Sequence, residues 1–327
     1  MSISSGPTRV FAILATATML AGCAAAGTQV AAPPEGPSQE TLAASRAGSW
    51  MSPAAKQIDL LYVSDGSANV VDVYAYRTGK RVGRLKGFKN PHGQCVDKTG
   101  DVFITDSGAS QILEYAHGGA TPLQTLADPG NFPHGCSIDP KTGDLAVTNL
   151  PPDAGSGSVS VYRQAQGTAK TYRIANFTFY YFPGYDASGN LFVDGTDDRA
   201  NFLFAELAAR TKKFFAVTLD HTFNFPAGVQ WDGTHLAVGD QVSLNGPSTV
   251  YEFSISGTTG TQVGATSLGS SCDVIQFFIQ DAALVAPNLC SPNVMYFDYP
   301  AGGAPTKTIG PKLQPTGVSV SLKEPAS

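Results

Sequence analysis

From Ile58 onward the chain is a succession of short apolar runs cut by glycine, proline and aspartate. LLYVSD, VFITD and LAVTN are apolar almost without a break, whereas NVVDVY, QILEY and SVSVY carry polar residues at alternate positions. The runs are too short for helices and rich in β-branched and aromatic residues, so they predict strands. The unbroken runs predict strands buried on both faces.

The pattern recurs. PHGQCVDKTGDVFITDSGASQILEY, from Pro91 to Tyr115, returns altered as PHGCSIDPKTGDLAVTN from Pro133. Each unit opens with Pro-x-Gly and a short strand and turns at Asp-x-x-Gly or a variant. It continues with an apolar strand ending near Asp or Asn, then a strand of the type V-x-V-Y, and then a variable fourth strand. Openings at Pro91, Pro133, Pro183, Pro226, Ser271 and Pro315 recur at roughly 40 to 50 residues, the length of a four-stranded propeller blade. The first unit, from Ile58, lacks its opening strand, and the last fragment, PTGVSVSL from Pro315, is an opening strand with nothing after it. In a ring the two meet, and no edge strand is left exposed. The expected fold is therefore all-β: a six-bladed β-propeller over residues 50–327, with four-stranded blades, closed by the C-terminal strand pairing into the first blade. Tyr74, Tyr115, Tyr162, Phe253 and Phe297 recur at one place in the third strand and are expected to pack between blades.

Composition agrees with this reading: 35 glycines, 22 prolines and only 14% charged residues. The net charge of −5 and the lack of a basic cluster argue against a nucleic-acid partner.

The N-terminus reads as an address. Arg9 precedes an apolar run from Val10 to Ala21, too short to span a bilayer of ~30 Å and suited to a signal-peptide core. The run ends in Leu20-Ala21-Gly22-Cys23, which resembles a bacterial lipobox. The resemblance implies a signal peptide over residues 1–22, lipid on Cys23 as the membrane partner, and a cell-envelope location. With Ala24 next, it implies the outer membrane if the cell is Gram-negative. Residues 23–49, rich in Ala, Pro, Gly, Ser and Thr, read as a flexible tether.

Four further cysteines remain in an exported chain, which suggests disulfides. Cys272 and Cys290 lie at neighbouring ends of the first hairpin of blade six, so Cys272–Cys290 is one expected pair. Cys95 and Cys136 sit on innermost strands of adjacent blades. Either they form Cys95–Cys136, which needs Cα atoms within ~7 Å, or they are two free buried thiols.

The motif P-x-G-x-x-x-D-x-x-G-x-[LV]-x-[VI]-x-[DN] followed by V-x-V-Y resembles the NHL repeat of six-bladed β-propellers, most clearly from Pro91 to Tyr115. Such propellers include lyases, lactone hydrolases, peptide-binding modules and scaffolds, so the resemblance speaks to fold more than to function. In that fold the residue between Pro and Gly faces the mouth of the central channel. Here the series is His92, His134, Gly184, Ala227 and Thr316. His92 and His134 are accordingly the candidate catalytic, ligand-binding and metal-ligating residues, and a divalent metal is the one cofactor they suggest. The plainer alternative is that each caps a strand by hydrogen bonding. Propeller lyases use metal-associated histidines at the channel, but this chain has no third histidine in the motif, and no blade opens with the Glu of the lactone hydrolases.

Three further features stand out. Asp65, Asp106, Asn149, Asp240 and Asn288, with Gly195 in blade four, end the second strands; they read as Asx-turn caps rather than a cation-binding rim. Asp194, Asp197 and Asp198 form a loose calcium-like loop without EF-hand spacing. In NFTFYYFPGY, Tyr181, Phe182 and Tyr185 could stack a sugar or peptide if exposed at the mouth, and Tyr185 joins the ligand-binding candidates; packing in the core is the alternative. No Gly-x-Ser-x-Gly elbow or phosphate loop occurs. The sequence therefore favours a lipid-anchored binding or scaffolding module for a protein, peptide or carbohydrate, with a metal-dependent lyase or hydrolase as the alternative.

Overall fold

The computed structural model describes residues 48–152, 155–241, 246–310 and 314–323. The signal peptide expected over residues 1–22, Cys23 and most of the 23–49 tether lie outside the described residues. The rest forms six sheets, one per repeat, antiparallel but for one short pairing in blade five, and the molecule is a six-bladed β-propeller.

Blade one shows how the ring closes. Its innermost strand is the C-terminal Pro315–Ser321, paired with Leu60–Asp65 from Leu60↔Ser321 to Asp65↔Pro315. Val70–Ala75 and Arg81–Leu85 follow outward, and the short strand Trp50–Met51 adds a fifth at the rim. Blades two to six open with Pro91–Val96, Phe132–Ile138, Phe179–Tyr185, Pro226–Trp231 and Phe278–Gln280. Blade five also gains a two-residue parallel pairing at Thr218–Leu219. Blade six departs from the expected pattern: Cys272 does not begin a strand, and regular pairing starts only at Phe278.

The second strands are buried along nearly their whole length, as the unbroken apolar runs require. Their alternation divides the two faces between neighbouring blades. Leu60 and Tyr62 pack toward blade two with Val102 and Ile104, whereas Leu61 and Val63 pack toward blade six with Val285 and Val294. The same division recurs round the ring, so the core is six separate clusters, one at each seam between blades. Burying apolar area at ~25 cal/mol per Å² therefore favours the closed ring: an open array would leave one such seam in water. The third-strand aromatics Tyr74, Tyr115, Tyr162, Phe253 and Phe297 are buried in these seams.

Both disulfides form. Cys95–Cys136 and Cys272–Cys290 each have a Cα–Cα separation of 5.6 Å. The first joins the inner strands of blades two and three and is buried in their seam. The second ties the irregular entry of blade six to the loop after its second strand.

Candidate functional site

Strand register defines the channel mouth. In blades two and three, Pro91 pairs with Asp106 and Pro133 with Asn149, and the bulge that follows in each inner strand holds His92 and His134. Blade four follows the same geometry with different residues. Tyr180 pairs with Gly195 and Pro183 with Val193, so Tyr181, and not Gly184, occupies the position of the two histidines. Hydrogen bonding agrees: the Thr105 hydroxyl donates to the His134 carbonyl at 2.8 Å, and the Thr148 hydroxyl donates to the Tyr181 carbonyl at 2.5 Å. The Pro-x-Gly glycine is explained by the same contact. A Cβ on Gly93 would collide with the His134 carbonyl, and one on Gly135 would meet the Tyr181 carbonyl at 2.7 Å.

The mouth is therefore asymmetric. Thr316, His92, His134 and Tyr181 occupy blades one to four, and Ala227 occupies blade five. The two imidazoles lie against each other with ring centroids 4.7 Å apart. His134 also contacts Phe182 at 5.1 Å and Tyr181 edge-on at 5.8 Å. Tyr181 in turn meets Phe225 edge-on at 5.1 Å. Neither imidazole caps a strand. Both Nδ1 atoms are buried without a hydrogen-bond partner among the described residues, an uncommon state for a buried polar atom. Burial lowers the His92 pKa to about 4. Burial, and then the neighbouring His92, holds His134 well below the usual histidine range. Both rings are neutral at neutral pH. Burial, with Asp194 nearby, pushes the Tyr181 phenol up to about 12.

The ring of second-strand ends is structural. Asp106 Oδ1 accepts the Lys89 N–H at 2.7 Å, Asp240 accepts the Asn224 and Phe225 N–H groups, Asp65 accepts that of Gln314, and Asn288 that of Cys272. Each fixes the segment descending into its own blade's inner strand. Asn149 instead donates to Ser158 and Ser160.

The calcium-like loop does not assemble. Asp194 is fully buried and turns into the blade-four bulge, where its Oδ1 accepts the Phe182 N–H at 2.6 Å. Asp197 is spent on its own turn, accepting from Arg199 and Asn201.

Tyr185 is not at the mouth. It ends the inner strand of blade four and lines a cavity of about 490 Å³ at the opposite end of the channel, with Trp231, Phe277 and the Cys95–Cys136 pair. Gln94 and Gln276 also border this cavity, and the Gln276 side-chain amide bonds to the Gln94 backbone.

For a metal at the mouth, the neutral, adjacent imidazoles suit ligation. A third donor side chain does not join them: among the described residues, groups of three donors within 4.8 Å are Cys272/Asp273/Cys290 and Asp232/His235/Glu252. The second was not visible in the sequence as a group, because Glu252 is brought to Asp232 and His235 by the pairing of the second and third strands of blade five.

No known family profile and no curated protein matches the chain by sequence. Solved structures match its fold. A chain of a crystallised nidogen–laminin complex superposes with a TM-score of 0.64 at 14% identity, covering 81% of this chain and 99% of that one. A Bacteroides caccae protein of unknown function gives 0.61 at 14% identity, with 82% and 100% coverage. Hydrazine synthase from Kuenenia stuttgartiensis gives 0.54 at 14% identity, with 78% and 76% coverage. At such identity the likeness concerns architecture alone, and these proteins include a member of a complex and an enzyme.

Proposed function

We propose that this chain is a lipid-anchored, extracytoplasmic propeller of the NHL type whose channel mouth binds an uncharged, hydrogen-bonding ligand, a glycan or a peptide. The observation that carries the reading is the pair His92 and His134: two neutral imidazoles, in contact, whose buried Nδ1 atoms have no hydrogen-bond partner among the described residues. Structural histidines in a core ordinarily bond to backbone or side chains. Beside them Tyr181, Phe179 and Phe225 form a half-buried aromatic surface. Aromatic faces with a few polar groups at a concave opening are the usual make-up of a small-ligand site. The carboxylates nearest the mouth are occupied by backbone N–H groups, so little free charge is presented. A propeller chain in the nidogen–laminin complex is consistent with a binding role for the architecture. The anchor rests on Leu20-Ala21-Gly22-Cys23.

The test is a glycan array and a peptide library probed with the full chain in detergent. His92→Ala/His134→Ala and Tyr181→Ala should each weaken the strongest hit at least about tenfold without lowering the melting temperature enough to unfold the domain. A hit unaffected by both variants would place the ligand elsewhere and end this reading. The second reading, a metal-dependent lyase or hydrolase, is favoured by the adjacency and neutrality of the imidazoles. It requires a stoichiometric metal that survives dialysis and is lost in His92→Ala.

A further inference from the structure

Asp232, His235 and Glu252 meet on the face opposite the mouth, at the seam between blades five and six. Asp232 opens the hairpin turn that joins the first two strands of blade five. Its Oδ1 accepts the N–H groups of Thr234 at 2.7 Å and His235 at 2.6 Å, a turn one residue shorter than those at Asp97 and Asp186, whose Oδ1 atoms accept from residues two and four further on. What also differs here is the company. His235 ends the turn, and Glu252 lies in the third strand, opposite Ala237. One donor atom from each of the three lies within 4.8 Å of the others. Tyr299, from blade six, donates its hydroxyl to Asp232 Oδ2 at 2.7 Å.

Three features set this group apart from an exposed acidic patch. Glu252 is 7% exposed; the hydroxyl of Thr266 donates to its Oε1, and that of Tyr299 also interacts with it. The ion pairs of the described residues involve Asp59 and Asp72 with arginines, so no lysine or arginine neutralises Asp232 or Glu252. A Cβ on Gly264 would collide with Glu252 Oε2, so the glycine is what leaves the carboxylate its present position. Two carboxylates brought this close in a partly buried site repel each other unless a proton or a cation lies between them.

We infer that Asp232, His235 and Glu252 bind a first-row divalent cation of the zinc or manganese class. The donor set argues for the class: an imidazole with two carboxylates suits zinc or manganese, whereas magnesium and calcium prefer oxygen alone. With bonds of about 2.0 to 2.2 Å, ligand atoms around a tetrahedral ion stand about 3.4 Å apart, so the side chains close by at most about 1.4 Å from their present positions. The ion joins the blade-five hairpin to the third strand and, through Asp232 and Tyr299, to blade six. Such a cation braces a seam and leaves the mouth untouched. The other donor group, Cys272/Asp273/Cys290, offers no thiolate, because its sulfurs are joined in a disulfide.

The experiment uses the full chain in detergent, stripped with chelator and titrated with zinc chloride or manganese chloride alone, read by calorimetry and by thermal unfolding. One equivalent should bind and raise the unfolding temperature. Glu252→Gln and His235→Ala should each weaken binding at least about tenfold, whereas His92→Ala/His134→Ala should leave it unchanged. Glu252→Gln keeps the shape of the side chain and removes charge, so its metal-free form should melt no lower than the parent. Absence of stoichiometric uptake, uptake that survives both blade-five variants, or uptake lost only with the mouth histidines would each overturn the proposal. The last result would favour the metal reading of the mouth instead.

Discussion

Gln276 Nε2 donates to the Gln94 carbonyl at 2.8 Å, and Gln276 Oε1 accepts the Gln94 N–H at 3.2 Å and that of Val318 at 3.3 Å. One side chain of blade six thereby holds the inner strands of blades one and two. Gln94 continues the network, donating from Nε2 to Ser64 and accepting from Ser319. The closure contributed by the C-terminal strand is thus secured by buried amides as well as by strand pairing. Gln276→Ala leaves three buried backbone groups unpaired, each worth about 1 to 3 kcal/mol at most. A total loss of at least about 3 kcal/mol is expected in urea unfolding. A loss under about 0.5 kcal/mol would show that the seam does not depend on this bridge.

The mouth histidines make stability depend on pH. The His92 pKa is lowered from 6.5 to about 4 by burial, and His134 is lowered as well. On acidification the unfolded chain takes up these protons first, near pH 6.5, while the folded protein resists. Stability from this source is complete above about pH 6.5 and falls as the pH drops toward 4, by up to about 1.4 kcal/mol per pH unit for each ring. Unfolding measured between pH 7 and pH 4.5 should show this slope, and a His92→Gln/His134→Gln variant should reduce it.

Asp194 works in the opposite sense. Burial raises its pKa well above the carboxylate range. It occupies in blade four the place of Thr105 and Thr148, whose hydroxyls donate to carbonyls of the next blade. The carboxyl is most favourable when protonated. Its contribution is greatest below about pH 3.8 and is lost as the pH rises toward the elevated folded pKa. Asp194→Asn, which can still accept from Phe182, should therefore raise stability at pH 8 by at least about 1 kcal/mol and should gain little at pH 4. A destabilised Asp194→Asn at pH 8 would show that the ionised form has a compensating partner.

Cys23→Ser tests the anchor. On the proposal that Cys23 carries lipid, the variant should shift the protein from the membrane pellet to the soluble fraction after cell disruption, because each acyl CH₂ lost from the bilayer removes ~0.8 kcal/mol of binding. Retention in the pellet at high salt would contradict lipidation.

Much of this architecture is legible along the chain because a repeat states its own strand order. The missing opening strand at Ile58 and the spare one at Pro315 announce the closure, and the positions of the four later cysteines suggest both disulfides. Blade four is where the reading slips. Pro183-Gly184 imitates the Pro-x-Gly opening, yet the true opening is Tyr180. The signal was present: Asp186 stands six residues after Tyr180, as Asp97 stands six after Pro91, and both accept the same turn N–H groups. The turn aspartate was the surer ruler, because its hydrogen bonds fix the hairpin, whereas a proline needs only a position without a donor to bond. The slip matters for function, since the observed register replaces Gly184 with Tyr181 at the mouth and sends Tyr185 to the other end of the channel.

By itself the sequence determined what is local and repeated: strand alternation, turn chemistry, the number of blades and the residues facing the seams. These follow from periods of two residues and from backbone conformations that few side chains allow. Only the tertiary structure decided which groups meet and which remain unpaired. It placed His92 against His134 with Nδ1 atoms unpartnered among the described residues, turned Asp194 inward, joined Gln276 to Gln94, and gathered Asp232, His235 and Glu252 beside Tyr299. Those meetings depend on the register between strands and on burial between blades, quantities set by the whole ring and carried by no single stretch of chain.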